Sequence, residues 1–342
     1  MSCCAPDSTR RHTEAETQDV VKQYYGKELK TSKDCQTGVN CLIDTSLPKH
    51  IRQALSEVHD EVTSRYYGCG RVIPEALEGC SVLDLGCGSG RDCYAVSKLV
   101  GPSGRVVGID MTEEQLAVAR KYVDYHTEKF GYSQPAVQFL FGYIEKLQEA
   151  GLQDETFDVV ISNCVVNLST NKPAVLKEVH RVLKEGGEFY FSDVYTNTTL
   201  TEEIKTNSVL WGECIAGALH WRQLHQLAEE LGFCQPRLVT SKMVNTSKFT
   251  EILGDAKFVS VTYRMFKLPK TLRPASSVTY KGGITGCEDQ FEFDRHFTFK
   301  KGEEVAMDQE LATILAISRF SDSFTIKEAT GKGHPESPAS ES

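Results

Sequence analysis

Residues 82–92 read "VLDLGCGSGRD", and this stretch decides the fold. Its apolar start predicts a strand, and Gly86, Gly88 and Gly90 predict a strand-to-helix turn whose backbone amides can approach a ligand closely. The next predicted strand, "RVVGID", ends at Asp110, 22 residues after Gly88. A carboxylate at that position accepts hydrogen bonds from a ribose diol. The two features together predict a cofactor site at this turn.

Apolar runs alternate with helical periods from residue 81 onward, which predicts an α/β fold with a mostly parallel sheet covered on both faces. A helix at "WRQLHQLAEELGF" and β-like runs at 237–244 and 257–268 are expected to complete the sheet. Upstream, "PKHIRQALSEVHDEVTSRYYGCG" predicts one amphipathic helix that starts near Pro48. Short alternating strands and a helix at about 309–318 predict a small C-terminal α+β domain.

The predicted domain organisation has five parts. They are a flexible tail at 1–18, an N-terminal helical extension at 19–80, a cofactor-binding domain at 81–270, a small C-terminal domain at 271–328 and a flexible tail at 329–342.

Composition excludes several classes of function. The formal net charge is −9, and the absence of a long Lys/Arg cluster makes nucleic acid an unexpected partner. No apolar run approaches the roughly 20 residues of a membrane helix, and the N-terminus resembles neither a secretory signal nor a transit peptide. We therefore expect a cytoplasmic monomer that does not span a bilayer. Its twelve cysteines are expected to be thiols at rest. No two of them have the C-x-x-C spacing, which argues against a structural zinc site.

The glycine run departs from the dinucleotide fingerprint and resembles motif I of the class I S-adenosylmethionine-dependent methyltransferases. The resemblance implies a Rossmann-like methyltransferase sheet with S-adenosyl-L-methionine as the cofactor. It also implies that Ile144 and Glu145, in "GYIEKL", lie at the edge of the adenine ring. An alternative interpretation is that these two residues are only a helix cap and a solvent-exposed charge. The implied cofactor-binding residues are Tyr67, Asp84, Gly86, Gly88, Asp110, Met111, Ile144, Glu145 and Asn163.

Three cysteines follow predicted strands or turns near this site. Cys164 lies in "ISNCVVNL" after the fourth strand, Cys69 in "RYYGCG" and Cys214 in "WGECIAGALH". Each can be a small buried hydrophobic residue. The ends of the fourth and fifth strands, however, border the pocket above the carboxyl edge of such a sheet, so the thiols can converge. Convergent thiolates without a histidine or carboxylate partner favour a soft, thiophilic acceptor.

At this point the chain resembles the arsenite methyltransferases over about residues 19–325, through "RYYGCG", "SNCVVNL", "FSDVY", "LWGEC" and "GGITG". The resemblance implies that Cys69, Cys164 and Cys214 bind trivalent arsenic, and that Cys41 is a further functional cysteine, with Cys35 as the alternative. It implies stepwise methylation of arsenite, or of its glutathione conjugate, and then of monomethylarsenite.

Arsenic bound by three sulfurs keeps a lone pair, so methyl transfer needs positioning and no general base. Transfer leaves arsenic formally pentavalent, and two cysteines can return the electrons as a disulfide that thioredoxin or glutathione then reduces. The family resemblance makes Cys41 and Cys69 the hypothesised pair.

Two alternatives stay open: a methyltransferase for a small organic acceptor, and a non-enzymatic, thiol-rich metalloid-binding protein. We expect burial for Cys80, Cys87, Cys93 and Cys234, and for Cys3 and Cys4 either arsenic capture or a solvated tail.

Overall fold

The structure is a computed structural model that describes residues 13–29 and 47–328. Cys41 and Cys35, as well as Cys3, Cys4 and the tail at 329–342, lie outside these ranges. Within the described residues, three α-helices precede the sheet: α1 (Glu14–Gln23), which continues into a π-helical turn (Tyr24–Glu28), α2 (Lys49–Ser56) and α3 (Asp60–Ser64).

Two predictions for this region were wrong. The helix α1 begins inside the predicted tail at 1–18, because Thr13 and Glu16 form a reciprocal capping box and Val21 is buried. The single helix predicted from Pro48 is divided into α2 and α3. The chain leaves the helical conformation before His59, whose side chain accepts a hydrogen bond from the backbone N–H of Glu61 and starts α3.

The central sheet and its helices follow the predicted alternation. Their bounds are β1 (Ser81–Leu85), α4 (Arg91–Val100), β2 (Arg105–Asp110), α5 (Glu113–Lys121), α6 (Val123–Lys129), β3 (Val137–Phe141), β4 (Phe157–Asn163), α7 (Lys172–Val182), β5 (Leu183–Thr196), α8 (Glu202–Thr206), α9 (Ser208–Gly212), β6 (Leu219–His220), α10 (Trp221–Leu231), β7 (Arg237–Met243), α11 (Thr250–Leu253) and β8 (Phe258–Phe266).

The strand order is β3-β2-β1-β4-β5-β8-β7, and β6 pairs with β5 outside this path. The first five strands are parallel, whereas β8 lies antiparallel between β5 and β7. The parallel strands are buried on both faces, as continuous apolar runs predict. The predicted Rossmann-like, mostly parallel sheet is therefore confirmed, and the carboxyl ends of β1, β2, β4 and β5 meet at one edge of the sheet.

The C-terminal part contains β9 (Ser276–Tyr280), β10 (Gln290–Glu292), β11 (Thr298–Lys300), β12 (Glu304–Met307), α12 (Gln309–Ile317) and β13 (Phe324–Glu328). A three-stranded sheet, β12-β9-β13, and the pair β10-β11 pack onto the central sheet through one continuous apolar core. Within the described ranges, no helix has the length and apolar character needed to cross a membrane.

Candidate active site

A cavity of about 960 Å³ opens at the carboxyl edge of the parallel strands. Helix α1 and its π-helical turn cover one side of it with Gln18, Val21 and Tyr25. All nine residues predicted to bind the cofactor line this cavity: Tyr67, Asp84, Gly86, Gly88, Asp110, Met111, Ile144, Glu145 and Asn163. Cys164, one of the three cysteines predicted to bind arsenic, also lines the cavity.

The glycine turn has the left-handed backbone that favours glycine at both Gly86 and Gly88. Gly86 has φ +65°, and a Cβ there would lie 2.5 Å from the Val165 side chain. Gly88 has φ +53°, and an added Cβ would meet nothing within 4 Å, so its backbone faces open space. The Gly88 N–H donates to Asp110 at 2.8 Å, and the Thr112 N–H donates to the other oxygen of Asp110 at 2.8 Å. Asp110 is thereby fixed at the rim with a defined orientation.

Three aspartates line the cavity: Asp84, Asp92 and Asp110. Burial raises the pKa of each of them, and at Asp84 the nearby Asp92 and Asp110 raise the pKa further. A cationic ligand relieves this repulsion. S-adenosylmethionine carries a sulfonium, an ammonium and a ribose diol, so the acidic lining, the glycine turn and Asp110 fit this cofactor. Asp92 is a site residue that the sequence analysis missed.

The structure brings the three predicted thiols together. Cys69 and Cys164 are joined in a disulfide, with 5.7 Å between their Cα atoms, so the expectation that all cysteines are thiols at rest is wrong for this pair. The Sγ atom of Cys214 donates to the backbone carbonyl of Cys164 at 3.1 Å, and all three cysteines belong to one buried cluster. In this structure Cys69 is bonded to Cys164, and Cys41, the partner hypothesised for Cys69, lies outside the described residues, so that pairing stays a prediction.

Asn163 holds that turn. Its side-chain oxygen accepts hydrogen bonds from the N–H groups of Cys69 and Gly70, at 2.9 and 3.2 Å, and its amide donates to the Gly70 carbonyl at 3.0 Å. The same amide donates to the Tyr66 hydroxyl at 2.6 Å. Asn163 was predicted only as a cofactor-binding residue. In the structure it lines the cavity and also positions Cys69, a role that depends on contacts between distant segments.

Cys164 and Cys214 have an unusual backbone. Their φ angles are +57° and +60°, and besides glycine only Ala76 and Glu155 share a positive φ in the described part of the chain. Such a conformation costs about 1–3 kcal/mol and clusters at functional sites, where surrounding contacts maintain it. Both cysteines are therefore held in strained turns, Cys164 at the cavity wall and Cys214 directly behind it against the Cys164 carbonyl.

Charged groups that the sequence analysis missed lie beside the thiols. A carboxylate oxygen of Asp193 and the sulfur atoms of Cys69 and Cys164 lie within 4.8 Å of one another. Burial raises the pKa of Asp193 to about 7. Lys172 is also buried, donates to the Ser169 carbonyl at 2.8 Å, and has its pKa lowered by burial to about 8. The sequence analysis assigned no role to either group, although Asp193 lies within the "FSDVY" signature.

Four cysteines that were expected to be structural are buried: Cys80, Cys87, Cys93 and Cys234. Burial raises the pKa of each thiol, to about 11 at Cys87 and about 12 at Cys234. A thiol with a raised pKa is a poor nucleophile and a poor ligand at neutral pH. Their burial supports the structural interpretation. Cys287, which is half-buried, has its pKa raised in the same way to about 11.

Known protein families match both parts of the chain. Residues 76–232 match the model of a methyltransferase domain, and residues 273–342 match the model of an arsenite methyltransferase C-terminal domain. The chain is 54% identical over 317 residues to an arsenite methyltransferase of Homo sapiens, covering 92% of this chain and 84% of the human one. It is 47% identical over 313 residues to an arsenite methyltransferase of Aquipseudomonas alcaligenes, covering 90% and 89%.

A solved structure of an arsenic methyltransferase is also similar to this chain. The crystal structure of an arsenic(III) S-adenosylmethionine methyltransferase from Chlamydomonas reinhardtii superposes with a TM-score of 0.80 at 39% identity, covering 86% of this chain and 100% of that one. These relatives share the sequence over most of both chains, and the fold and cofactor cavity agree with the match. The chain therefore belongs to the arsenite methyltransferase family and is an S-adenosylmethionine-dependent methyltransferase.

Proposed function

We propose that this protein methylates trivalent arsenic in steps, arsenite first and monomethylarsenite second, and that Cys69, Cys164 and Cys214 hold the arsenic as thiolates. One observation carries the proposal: three cysteines from three separate turns meet in one buried cluster, and one of them, Cys164, lines the cofactor cavity. Thiolates are the ligands that a soft acceptor prefers. The family names of the relatives agree with this substrate.

Binding of the substrate is a ligand exchange. Each thiol that replaces a hydroxyl group of arsenous acid releases one water, so three thiols release three waters and no external base is consumed. Arsenic with three sulfur ligands keeps its lone pair. S-adenosylmethionine, when bound, supplies the methyl group. The protein contributes by holding the arsenic at a fixed place beside the cavity, and such positioning is worth up to about 7–11 kcal/mol.

Turnover then requires two electrons. The methylated arsenic is formally pentavalent, and two of its thiolates can leave it as one disulfide, which returns arsenic to the trivalent state. The Cys69–Cys164 disulfide supports this step, because it shows that two of the proposed ligands can bond to each other in this fold. Two equivalents of an external thiol, of the glutathione or thioredoxin class, restore the pair by exchange. Cys41 stays a predicted fourth participant, since it lies outside the described residues.

The direct test is product analysis. Reduced protein, arsenite, S-adenosylmethionine and a thiol reductant are incubated, and the arsenic species are identified by mass. We expect monomethylated and then dimethylated arsenic. Cys164→Ser and Cys214→Ser should abolish methylation while the cofactor still binds in calorimetry, and the matched control Cys234→Ser should keep the activity. Methylated arsenic formed at the unchanged rate by both active-site variants would contradict the proposal.

A further inference from the structure

Asn167 connects the segments that carry Cys164 and Cys214. It is 1% exposed and lies in a short 3₁₀ turn (Val166–Leu168), three residues after Cys164. Its side-chain amide donates to the carbonyl of Val194 at 2.6 Å and to the carbonyl of Cys214 at 3.3 Å. Its backbone N–H donates to Asp193 at 3.0 Å. One side chain therefore links the turn after β4, the end of β5 and the turn after α9.

The turn at Cys214 needs such a link. Cys214 has φ +60°, a conformation that persists only when neighbouring contacts maintain it. The hydrogen bond from Asn167 goes to the carbonyl of Cys214 itself. The contact between the two turns is also direct, because a Cβ on Gly217 would lie 1.8 Å from the backbone oxygen of Asn167. The distance between the two turns is thus set at Asn167.

We propose that Asn167 is a positioning residue that fixes Cys214 against Cys164, so that both sulfur atoms reach the same arsenic atom. The inference rests on the function proposed above. An asparagine suits the role because its amide has two N–H groups and donates to both carbonyls. Aspartate has nearly the same shape but only acceptors when ionised, so it opposes both contacts.

The first experiment measures the distance between the sulfur atoms without arsenic. In a reduced Cys69→Ser background, a bifunctional alkylating reagent that fluoresces only after both arms react is used to join Cys164 to Cys214, and peptide masses map the product. We expect cross-linking with Asn167 present, and a rate about tenfold lower in Asn167→Ala and Asn167→Asp, the effect of losing the buried hydrogen bond to the Cys214 carbonyl. The double variant Cys69→Ser, Cys214→Ser cannot form this cross-link and measures the background fluorescence.

The second experiment separates the thiol site from the cofactor site. In otherwise unchanged protein, both Asn167 variants should raise the KM for arsenite about tenfold and leave the KM for S-adenosylmethionine unchanged. Asn171→Ala is the matched control. Asn171 is exposed and caps α7 by accepting from the Ala174 N–H at 3.2 Å, so its loss lowers stability without touching a cysteine turn.

The outcomes are distinct. Unchanged cross-linking and unchanged KM for arsenite in a folded Asn167 variant overturn the inference, as does the same change in Asn171→Ala. If Asn167→Ala does not fold, the nearly isosteric Asn167→Asp decides by the same readouts. Cross-linking that depends on Asn167 in a protein that forms no methylated arsenic would keep the positioning role and reject the arsenic function.

Discussion

At Cys164 and Cys214 the positive φ angles oppose the ordinary preference of a cysteine. A left-handed backbone costs a residue with a Cβ roughly 1–2 kcal/mol, whereas glycine adopts it freely. A cysteine at these positions therefore costs conformational free energy that glycine would avoid, and a purely structural role does not explain that cost. The strain favours a functional role for these two side chains over the small-hydrophobe alternative.

This argument predicts an inverted order of stability for two substitutions. Cys214→Gly should be more stable than Cys214→Ala by about 1 kcal/mol, because glycine relieves the strain. Chemical denaturation measures the difference. At the matched control Cys234, which is buried without a positive φ, the order should be normal, with alanine more stable than glycine. The same order at both positions would contradict the strain argument.

Stability should depend on pH through His126. Its ring is buried, stacks on Tyr94 and accepts a hydrogen bond from the His59 N–H at 3.2 Å, and burial lowers its pKa to about 4. Between pH 6.5 and pH 4 the unfolded chain binds a proton at this residue and the folded chain does not. The free energy of unfolding therefore falls as the pH falls through this window, by at most about 3 kcal/mol from this residue.

Denaturation at several pH values checks this contribution. His126→Phe keeps a ring and removes the titrating group, so its stability should fall less steeply from pH 6.5 to pH 4. His296→Gln, at an exposed histidine, should keep the original slope. Identical slopes in both variants would show that His126 is not the group responsible.

Helix α1 closes the cofactor cavity, and its contact with α9 is tight. The Tyr24 hydroxyl donates to Glu213 at 2.5 Å, and a Cβ on Gly212 would lie 2.6 Å from the Tyr24 ring. The next residue, Tyr25, donates to the Gly212 carbonyl at 2.7 Å and lines the cavity. The element that covers the cofactor thus packs on the segment that carries Cys214.

Gly212→Ala should push Tyr24 and α1 away from this segment. We expect the dissociation constant of S-adenosylmethionine to rise about tenfold, a loss of about 1.4 kcal/mol. Calorimetry measures it. Gly283→Ala is the matched control, because its nearest atom would be 3.5 Å away and its φ is not positive. Unchanged affinity in the Gly212 variant would show that α1 does not take part in cofactor binding.

Local motifs predicted residues that line the cavity, since each strand-to-turn spacing places its own residues at the sheet edge; their contacts with the cofactor stay a prediction. Contacts between distant segments could not be predicted in this way. Asn163 acts on Cys69, 94 residues away, and Asn167 acts on Cys214, 47 residues away. The start of α1 did have a sequence signal, the Thr13–Glu16 capping box, but the polar composition of residues 1–18 favoured a tail.

The whole molecule is joined by a buried charge network. Arg264 on β8 is fully buried, donates to Glu188 on β5 at 2.6 Å, and pairs with Glu75 at 3.2 Å. It also donates to the carbonyl of Phe293 in the C-terminal part, and Arg319 pairs with the same Glu188. The composition gave no sign of this network. Because it links the central sheet to the C-terminal part, we propose that the predicted domains at 81–270 and 271–328 unfold together.

Arg264→Met tests this proposal. It leaves Glu188 with only part of its neutralising charge in the core, which should cost about 3–5 kcal/mol. The double variant Arg264→Met, Glu188→Gln should recover part of the loss, since the buried charge is removed as well. Calorimetry should show one transition in the parent protein. Two separate transitions there, or no recovery in the double variant, would contradict a shared, charge-linked core.

The central claim is that three converging thiolates hold the substrate. X-ray absorption at the arsenic edge, on reduced protein loaded with one equivalent of arsenite, measures the ligand atoms directly. The account predicts three sulfur ligands in the parent protein and two sulfur ligands with one oxygen in Cys214→Ser. Arsenic with the same set of ligands in both proteins, or with oxygen ligands alone in the parent, would contradict it.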